Sequence, residues 1–451
     1  MGLDPTSSTL PISTNPSQSM SPVFLNFRLQ EVEHMQLPKS LDRPLYYINS
    51  LAIFWFLAFI VIGPKYTIGS SVLLLLGLVA LPFNLLTARV ALKEQAPWII
   101  ALSVYTLYIV AFRALEGLPP EKLDPPFRFL AAIPILIYLR RYGFHPAAIG
   151  LGAAMGCLLG GAAGLEEILS GKATRAGSTI AHHPIPYGTL MAMLAMCALH
   201  SAVDSRMMVL RIIFVAGTAA GLMAVVLSGT RGLVPAILIA VTYMGFQSLE
   251  PLRVNKPKAL ALVLLASATL ALTAYQAPIV KTRITETKAE IAAIQSGHLG
   301  SSFGLRLQMW HAAIHLASQS PLFGVGTGQE KRGAAAADFL EQRGYNPDLF
   351  KWFDHLHSEY LDTLASYGLF GLATLLALLA GAVRHVPRPG RLPLMMALVV
   401  IAIEALTEAV FVDTKLAMGF VFLVTVLRSQ AYTQPSTVTE THLTRTPLPR
   451  P

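Results

Sequence analysis

The sequence predicts an all-α integral membrane protein of about twelve transmembrane helices, with a large, partly helical extracytoplasmic loop between the ninth and tenth. Three observations carry this. Of the 451 residues, 54% are hydrophobic and only 13% charged, roughly half the charged share of a soluble domain. Apolar runs of about 17 to 21 residues recur, enough for a helix to cross a hydrocarbon core of roughly 30 Å. Period-2 alternation is absent, which excludes a transmembrane β-barrel.

The expected spans run 45–63, 67–86, 98–112, 127–139, 147–165, 187–203, 207–227, 233–248, 259–276, 363–383, 392–412 and 416–427. Each is a helix because only a helix or a closed barrel satisfies its own backbone in lipid. The fourth, which carries Pro134, and the twelfth are short and call for tilt or partial insertion. One alternate set of connections is basic, holding Arg89, Lys93, Arg140, Arg141, Arg206, Arg211, Arg253, Lys256, Lys258, Arg384, Arg388 and Arg391. The other set is balanced: residues 113–128 have three bases and three acids, and residues 277–362 have eight and nine. Bases stay on the cytoplasmic side, so the balanced set is external and both termini are cytoplasmic, with Arg428, Arg445 and Arg450 in the tail.

Five regions follow. Residues 1–43 are a Ser-, Thr- and Pro-rich disordered segment, part of it an added leader; 44–276 hold nine spans; 277–362 form the external loop domain; 363–430 hold three spans; and 431–451 are a cytoplasmic tail. The loop domain is far longer than an ordinary connection, which marks it as functional. Within it Leu305, Met309, Ala312 and Leu316 recur at helical spacing, predicting an amphipathic helix near the membrane surface.

Composition excludes several function classes. Cys157 and Cys197 each lie in an apolar run without a metal-ligand partner and read as small core residues. The net charge of +9 has no basic block interleaved with aromatics, so no nucleic-acid partner is expected, and topology accounts for the excess.

Three residues distant in sequence share the external face. Arg231 sits in Ser228-Gly229-Thr230-Arg231-Gly232, a tight turn between two spans where glycine admits close approach of a ligand; an arginine at headgroup level is the plainer alternative. Arg306 opens the amphipathic helix, where it either grips phosphate oxygens bidentately or lies on a solvated face. His357, in Asp354-His355-Leu356-His357-Ser358-Glu359-Tyr360, stands where the chain re-enters the membrane, and a neutral imidazole there can take a proton from a hydroxyl. Asp354 is expected to cap the following helix, and Asp354 or Glu359 to orient the imidazole. His355 and His357 could also be two metal ligands, but no cluster of further ligands is evident, so no metal is expected. In Pro321-Leu322-Phe323-Gly324-Val325-Gly326 the glycines suit a structural turn better than an anion nest. Glu404 and Glu408, one turn apart in the eleventh span, are expected to buttress the arginines.

His357-Ser358, nine residues, then Gly368-Leu369-Phe370-Gly371 resembles the histidine motif of O-antigen ligases. Gly-Thr-Arg-Gly around Arg231, the Arg306–Trp310 segment and the Pro-Leu-Phe-Gly-Val-Gly run are similar to the wider superfamily, which includes O-antigen polymerases and protein O-oligosaccharyltransferases. The resemblance spans residues 180–375 at motif level. It implies a helical bundle in the bacterial inner membrane with a periplasmic loop over a lipid-open cavity, a polyprenyl (undecaprenyl) diphosphate-linked glycan donor and a lipid A core acceptor. It further implies a glycosyltransferase without cofactor or metal, with His357 catalytic, Arg231 and Arg306 binding the donor diphosphate, and Asp354, His355, Ser358, Glu359, Glu404 and Glu408 in supporting places. A transporter of lipid-linked glycans is the reading from another class; it calls for broken, inverted-repeat helices and more charge within the membrane.

Overall fold

A computed structural model describes residues 39–249 and 278–433, with a few isolated positions between them. The described residues form helices and no strand. In chain order these are α1 (Asp42–Phe59), α2 (Thr67–Ala80), α3 (Leu85–Glu94), α4 (Ala96–Leu115), α5 (Pro120–Leu130), α6 (Ala132–Tyr142), α7 (Ala147–Leu169), α8 (Pro184–Asp204), α9 (Met208–Ser228) and α10 (Leu233–Leu249). After the gap come α11 (Pro278–Gln295), α12 (Ser302–Gln319), α13 (Gln329–Gln342), α14 (Leu349–Trp352), α15 (Glu359–Val383), α16 (Arg388–Glu404) and α17 (Thr414–Thr433).

Among the described residues, six helical segments are long and apolar enough to cross a membrane: Pro64–Asn84, Ala96–Leu115, Ala147–Leu169, Pro184–Asp204, Met208–Ser228 and Glu359–Val383. Leu233–Ser248 is apolar but shorter. The expected ninth span, with Arg253 and Lys256 before it, lies almost wholly outside the described residues. The fourth expected span is two short helices, α5 and α6, that meet at Ala131. The eleventh ends as a helix at Glu404, so Glu408 sits on the turn after it. The twelfth is longer than expected, and Arg428 belongs to it rather than to a tail. Buried within the bundle, Arg428 donates to the carbonyls of Gly381, Ala382 and Arg384 at 2.9, 3.0 and 3.2 Å and to Gln95 Oε1 at 2.7 Å. It thereby closes the carbonyl-rich C-terminal end of α15, where a cation is electrostatically favoured.

α8 lies at the centre of the bundle, packed by α7, α9, α10 and α16. Small residues permit that closeness, as between membrane helices generally: a Cβ at Gly156 of α7 would lie 2.3 Å from the Leu57 carbonyl oxygen of α1. Leu51, Leu75, Leu107 and Val209 point outward, each more than half exposed, as helix faces solvated by lipid tails require.

The 278–358 region folds as a cap with its own core, in which Met309, Ala312, Leu316, Leu340 and Phe350 are buried. The apolar stripe foreseen on α12 exists, but it is spent against α13 and α15 and not on a lipid surface. The Pro321–Gly326 run docks on a break in α15. Leu369 N–H donates to Pro321 O at 2.8 Å, Val325 N–H to Ala365 O at 2.8 Å and Gly326 N–H to Ser366 O at 3.1 Å. At the break Gly368 has φ 67°, and opposite it Gly324 has φ 72°. A Cβ on Gly368 would fall 2.3 Å from the Leu322 carbonyl, and one on Gly324 2.3 Å from the Ser366 carbonyl carbon. The two glycines therefore let two backbones touch, and the first two and a half turns of α15 are held at a fixed distance from the cap.

Gly368→Ala should lower the thermal midpoint of the detergent-solubilised protein by several degrees. It adds a left-handed alanine, at about 1–2 kcal/mol, to an overlap with backbone that cannot rotate away. Gly300→Ala, with nothing within 4 Å of the new methyl group, is the comparison and should leave the midpoint unchanged.

Candidate active site

His357 occupies the link between α14 and α15 with φ 45°, a conformation uncommon for a residue with a Cβ and concentrated at functional sites. Both sides of it are fixed. Trp310 Nε1 donates to the His357 carbonyl at 3.1 Å, and Ser358, the N-cap of α15, accepts from Leu361 N–H at 3.4 Å. Ser358, not Asp354, is therefore the cap. The Asp354 side chain is exposed, with one oxygen 3.8 Å from His355 Nε2.

The carboxylate that orients the imidazole is neither Asp354 nor Glu359 but Glu408, whose two oxygens lie 3.0 and 3.1 Å from His357 Nδ1. Glu359 is turned away: its carboxylate accepts from Phe411 N–H at 3.0 Å, and its own N–H is shared by the Ala405 and Glu408 carbonyls at 2.9 and 3.1 Å. It thus ties the start of α15 to the turn that carries Glu408. His355 Nδ1 is 3.8 Å from Glu408 Oε1.

Glu408 also reaches Arg306, whose Nη2 lies 3.5 Å from Oε2. Arg306 and Trp310 are one turn apart on α12, so one helix face delivers both to the histidine link. The Arg306 Nε is buried without a hydrogen-bond partner, a donor kept from water and left for another acceptor. Burial alone would raise the Glu408 carboxyl. The His357 hydrogen bond, with the positive charges of His357, His355 and Arg306, outweighs it and holds the group at about 2. Burial, then His357, presses His355 below the ordinary imidazole value. An ionised carboxylate only accepts, so whenever the His357 ring gives up one proton the other stays on Nδ1, and Nε2 becomes the proton acceptor.

Arg231 is held differently. Its guanidinium makes a two-pronged contact with Glu290, both at 3.1 Å, and a third at 3.2 Å with Glu286, which also binds Arg283 at 2.7 Å. The glycines flanking Arg231 admit side chains: a Cβ on Gly229 would meet Arg283 Nε at 2.9 Å and one on Gly232 the Glu404 carboxylate at 2.6 Å. Of the two foreseen buttresses, Glu408 contacts an arginine, whereas Glu404 lies against the arginine's backbone turn and its Oε2 has no partner.

The sequence reading missed Arg175, Arg283 and His183. Arg175 Nε donates to Ser228 O at 2.7 Å, just before the Arg231 turn. Burial and the nearby charges of Arg283, Arg306 and Arg231 all press its pKa downward, so four guanidinium groups converge. Its loop is anchored by Glu167, whose carboxylate accepts from the Gly177, Thr179 and Ile180 N–H groups and from the Thr179 hydroxyl. His183 caps α8 through Nδ1; burial lowers its pKa most, the charges of Arg175, His357 and His355 lower it further, and Glu408 opposes. The available signal was position: Lys172, Arg175, His182 and His183 fall in a loop assigned to the same face as Arg231 and His357.

Beside the histidine link lies a cavity of about 530 Å³ lined by Arg113, Gln329, Arg332, Asp354, Glu359 and Asp362, among others. Arg332 in its wall is buried and fully engaged, with Asp362 at 3.1 Å, Ser366 Oγ at 2.5 Å and the Gly326 carbonyl at 3.0 Å. The third metal-type ligand that the sequence left missing is also present: His355, His357 and Glu408 offer donor atoms within 4.8 Å of one another.

The Glu408 pKa gives a signed expectation. A carboxyl lowered from 4.5 to about 2 stabilises the fold above the unfolded value, and that stabilisation is lost as pH falls through the folded one. Thermal midpoints taken from pH 5 to pH 3 should therefore fall more steeply for the wild type than for Glu408→Gln; equal slopes would show that Glu408 is not ionised against these cations.

Comparison with known proteins was decisive for one segment. No curated protein matches the chain. Residues 216–376 match the family model described as O-Antigen ligase, a range running from within α9 to within α15 and containing Arg231, Arg306 and His357, while Arg175 and Glu408 fall outside it. With six apolar helices long enough to span a bilayer, the chain is a membrane protein, and its residues 216–376, which hold both arginines and the histidine, carry a domain of the O-antigen ligase type.

Proposed function

We propose that this protein is an O-antigen ligase, which transfers a glycan from polyprenyl diphosphate to the lipid A core oligosaccharide on the periplasmic face of the inner membrane. The observation that carries the reading is the His357–Glu408–Arg306 contact: a proton-accepting nitrogen and an unsatisfied guanidinium share one buried carboxylate. The charge asymmetry of the connecting loops supports an external active site with both termini in the cytoplasm.

The chemistry follows from the groups present. The diphosphate is already a good leaving group, so its departure needs charge stabilisation more than protonation, and arginines in a water-poor site supply it. The acceptor hydroxyl gives its proton to His357 Nε2 as its oxygen attacks the anomeric carbon. The bond from that carbon to the diphosphate oxygen breaks, and the electron pair leaves with the diphosphate. Glu408 holds the ring and balances the imidazolium that forms, as the carboxylate of a hydrolase triad does. Direct attack inverts the anomeric centre, and the step uses neither nucleotide nor metal. Glu286 and Glu290 occupy Arg231 with carboxylate oxygens, so donor binding exchanges carboxylates for phosphate on that residue.

Transfer is measured with purified protein, polyprenyl diphosphate-linked glycan and lipid A core, with chelator present. His357→Ala should reduce the rate by about 10²–10⁴-fold. Arg306→Lys should lose at least tenfold, because an ammonium cannot contact carboxylate and phosphate in one plane. Wild-type product only when the acceptor is a second lipid-linked glycan would make the protein a polymerase. Product only on a periplasmic protein would make it a protein O-oligosaccharyltransferase, and movement of the donor across liposomes without transfer would make it a transporter.

A further inference from the structure

His355 has no part in the transfer reaction just described, yet it stands with its ring centroid 4.4 Å from that of His357 and its Nδ1 3.8 Å from Glu408 Oε1. His357 Nδ1 is 3.0 Å from the same oxygen. Ligand atoms around a tetrahedral zinc are roughly 3.3 Å apart, given bonds of about 2.0–2.1 Å, so these separations bracket the requirement. The set is held from two directions, the histidines by the link before α15 and Glu408 by the turn after α16. The Glu359 N–H, bound to the Ala405 and Glu408 carbonyls, joins the two. Arg306 lies 3.5 Å from Oε2, while Oε1, which also accepts from the Ala409 N–H at 3.3 Å, faces both imidazoles.

We propose that His355, His357 and Glu408 form a zinc-binding site whose occupation switches the enzyme off. Two imidazoles and one carboxylate select borderline transition ions such as zinc or cobalt(II) and not magnesium or calcium, which take oxygen ligands. Three protein ligands leave a fourth position for water or an anionic oxygen. The inhibition is a matter of tautomer. Without metal, Glu408 accepts the Nδ1 proton and Nε2 keeps its lone pair. With zinc on Nδ1, the remaining proton of the neutral ring sits on Nε2, and the nitrogen that would take the acceptor's proton becomes a donor. Binding itself depends only on the three side chains; the inhibition rests on His357 being the base.

The test uses the full chain in detergent, stripped with chelator, and titrated with zinc by calorimetry and with cobalt(II) by visible absorption. The wild type should bind one ion saturably at this site and give the intense absorption of tetrahedral cobalt. His355→Ala and His355→Asn should each weaken that binding by at least about tenfold. His311→Ala, which removes one member of another closely spaced pair, His311 and His315 on α12, should not. Absence of saturable binding in the wild type, or loss in His311→Ala with retention in both His355 variants, would overturn the site. Zinc should also stop wild-type transfer, with chelator restoring it; binding without any effect on transfer would overturn the switch while leaving the site. A preparation without transfer activity still reports binding, which separates failure of the site from failure of the ligase assignment.

Discussion

The buried carboxylate of Glu408 is the contact on which the geometry of the candidate site depends. It balances Arg306, orients His357 and draws His355 close. Each group would be costly to bury alone, because an isolated charge away from water either changes protonation or destabilises the fold. Together their charges balance, with only the Arg306 Nε left without a partner, and the arrangement fixes which imidazole nitrogen is free. The wider framework serves that end. Ser358 caps α15, Trp310 holds the His357 carbonyl, and Glu359 fastens the helix start to the turn bearing Glu408. Gly368 and Gly324 then set where α15 meets the cap.

The two foreseen arginines occupy different electrostatic situations. Arg231 is neutralised by Glu286 and Glu290 of α11, at a partly exposed position where such pairs contribute little to stability and can be exchanged for another anion. Arg306 is more deeply set, has one carboxylate neighbour and keeps a buried, unpaired donor. With Arg175 and Arg283 nearby, four guanidinium groups act on one another across the site, which favours an anion between them.

The His-Ser-x₉-Gly-Leu-Phe-Gly spacing acquires a mechanical meaning in the fold. Nine residues separate the N-cap from the break, and the Pro321–Gly326 run binds that break through backbone hydrogen bonds. Two stretches that look like independent turn motifs in the sequence are the halves of one junction, each with its glycine facing the other's backbone.

Local physics made much of this protein legible in its sequence. Apolar run length announced helices in a membrane, the long polar interval announced a folded cap, and the stripe on α12 announced one buried face. Charge asymmetry led to the expectation of one external face for Arg231, Arg306 and His357, and a short motif singled out the histidine. What the sequence could not disclose were pairings between segments far apart in the chain: Glu408 rather than Asp354 or Glu359 on the imidazole, Glu286 and Glu290 on Arg231, Arg175 beside them, and Arg428 closing the end of α15. Hydropathy and spacing report what a residue needs, a partner or a dry surface, but every carboxylate on the right face meets that need equally well on paper. Only helix packing brings one of them within 3.0 Å of His357 and turns the others away, and that choice decides which nitrogen is free to accept a proton.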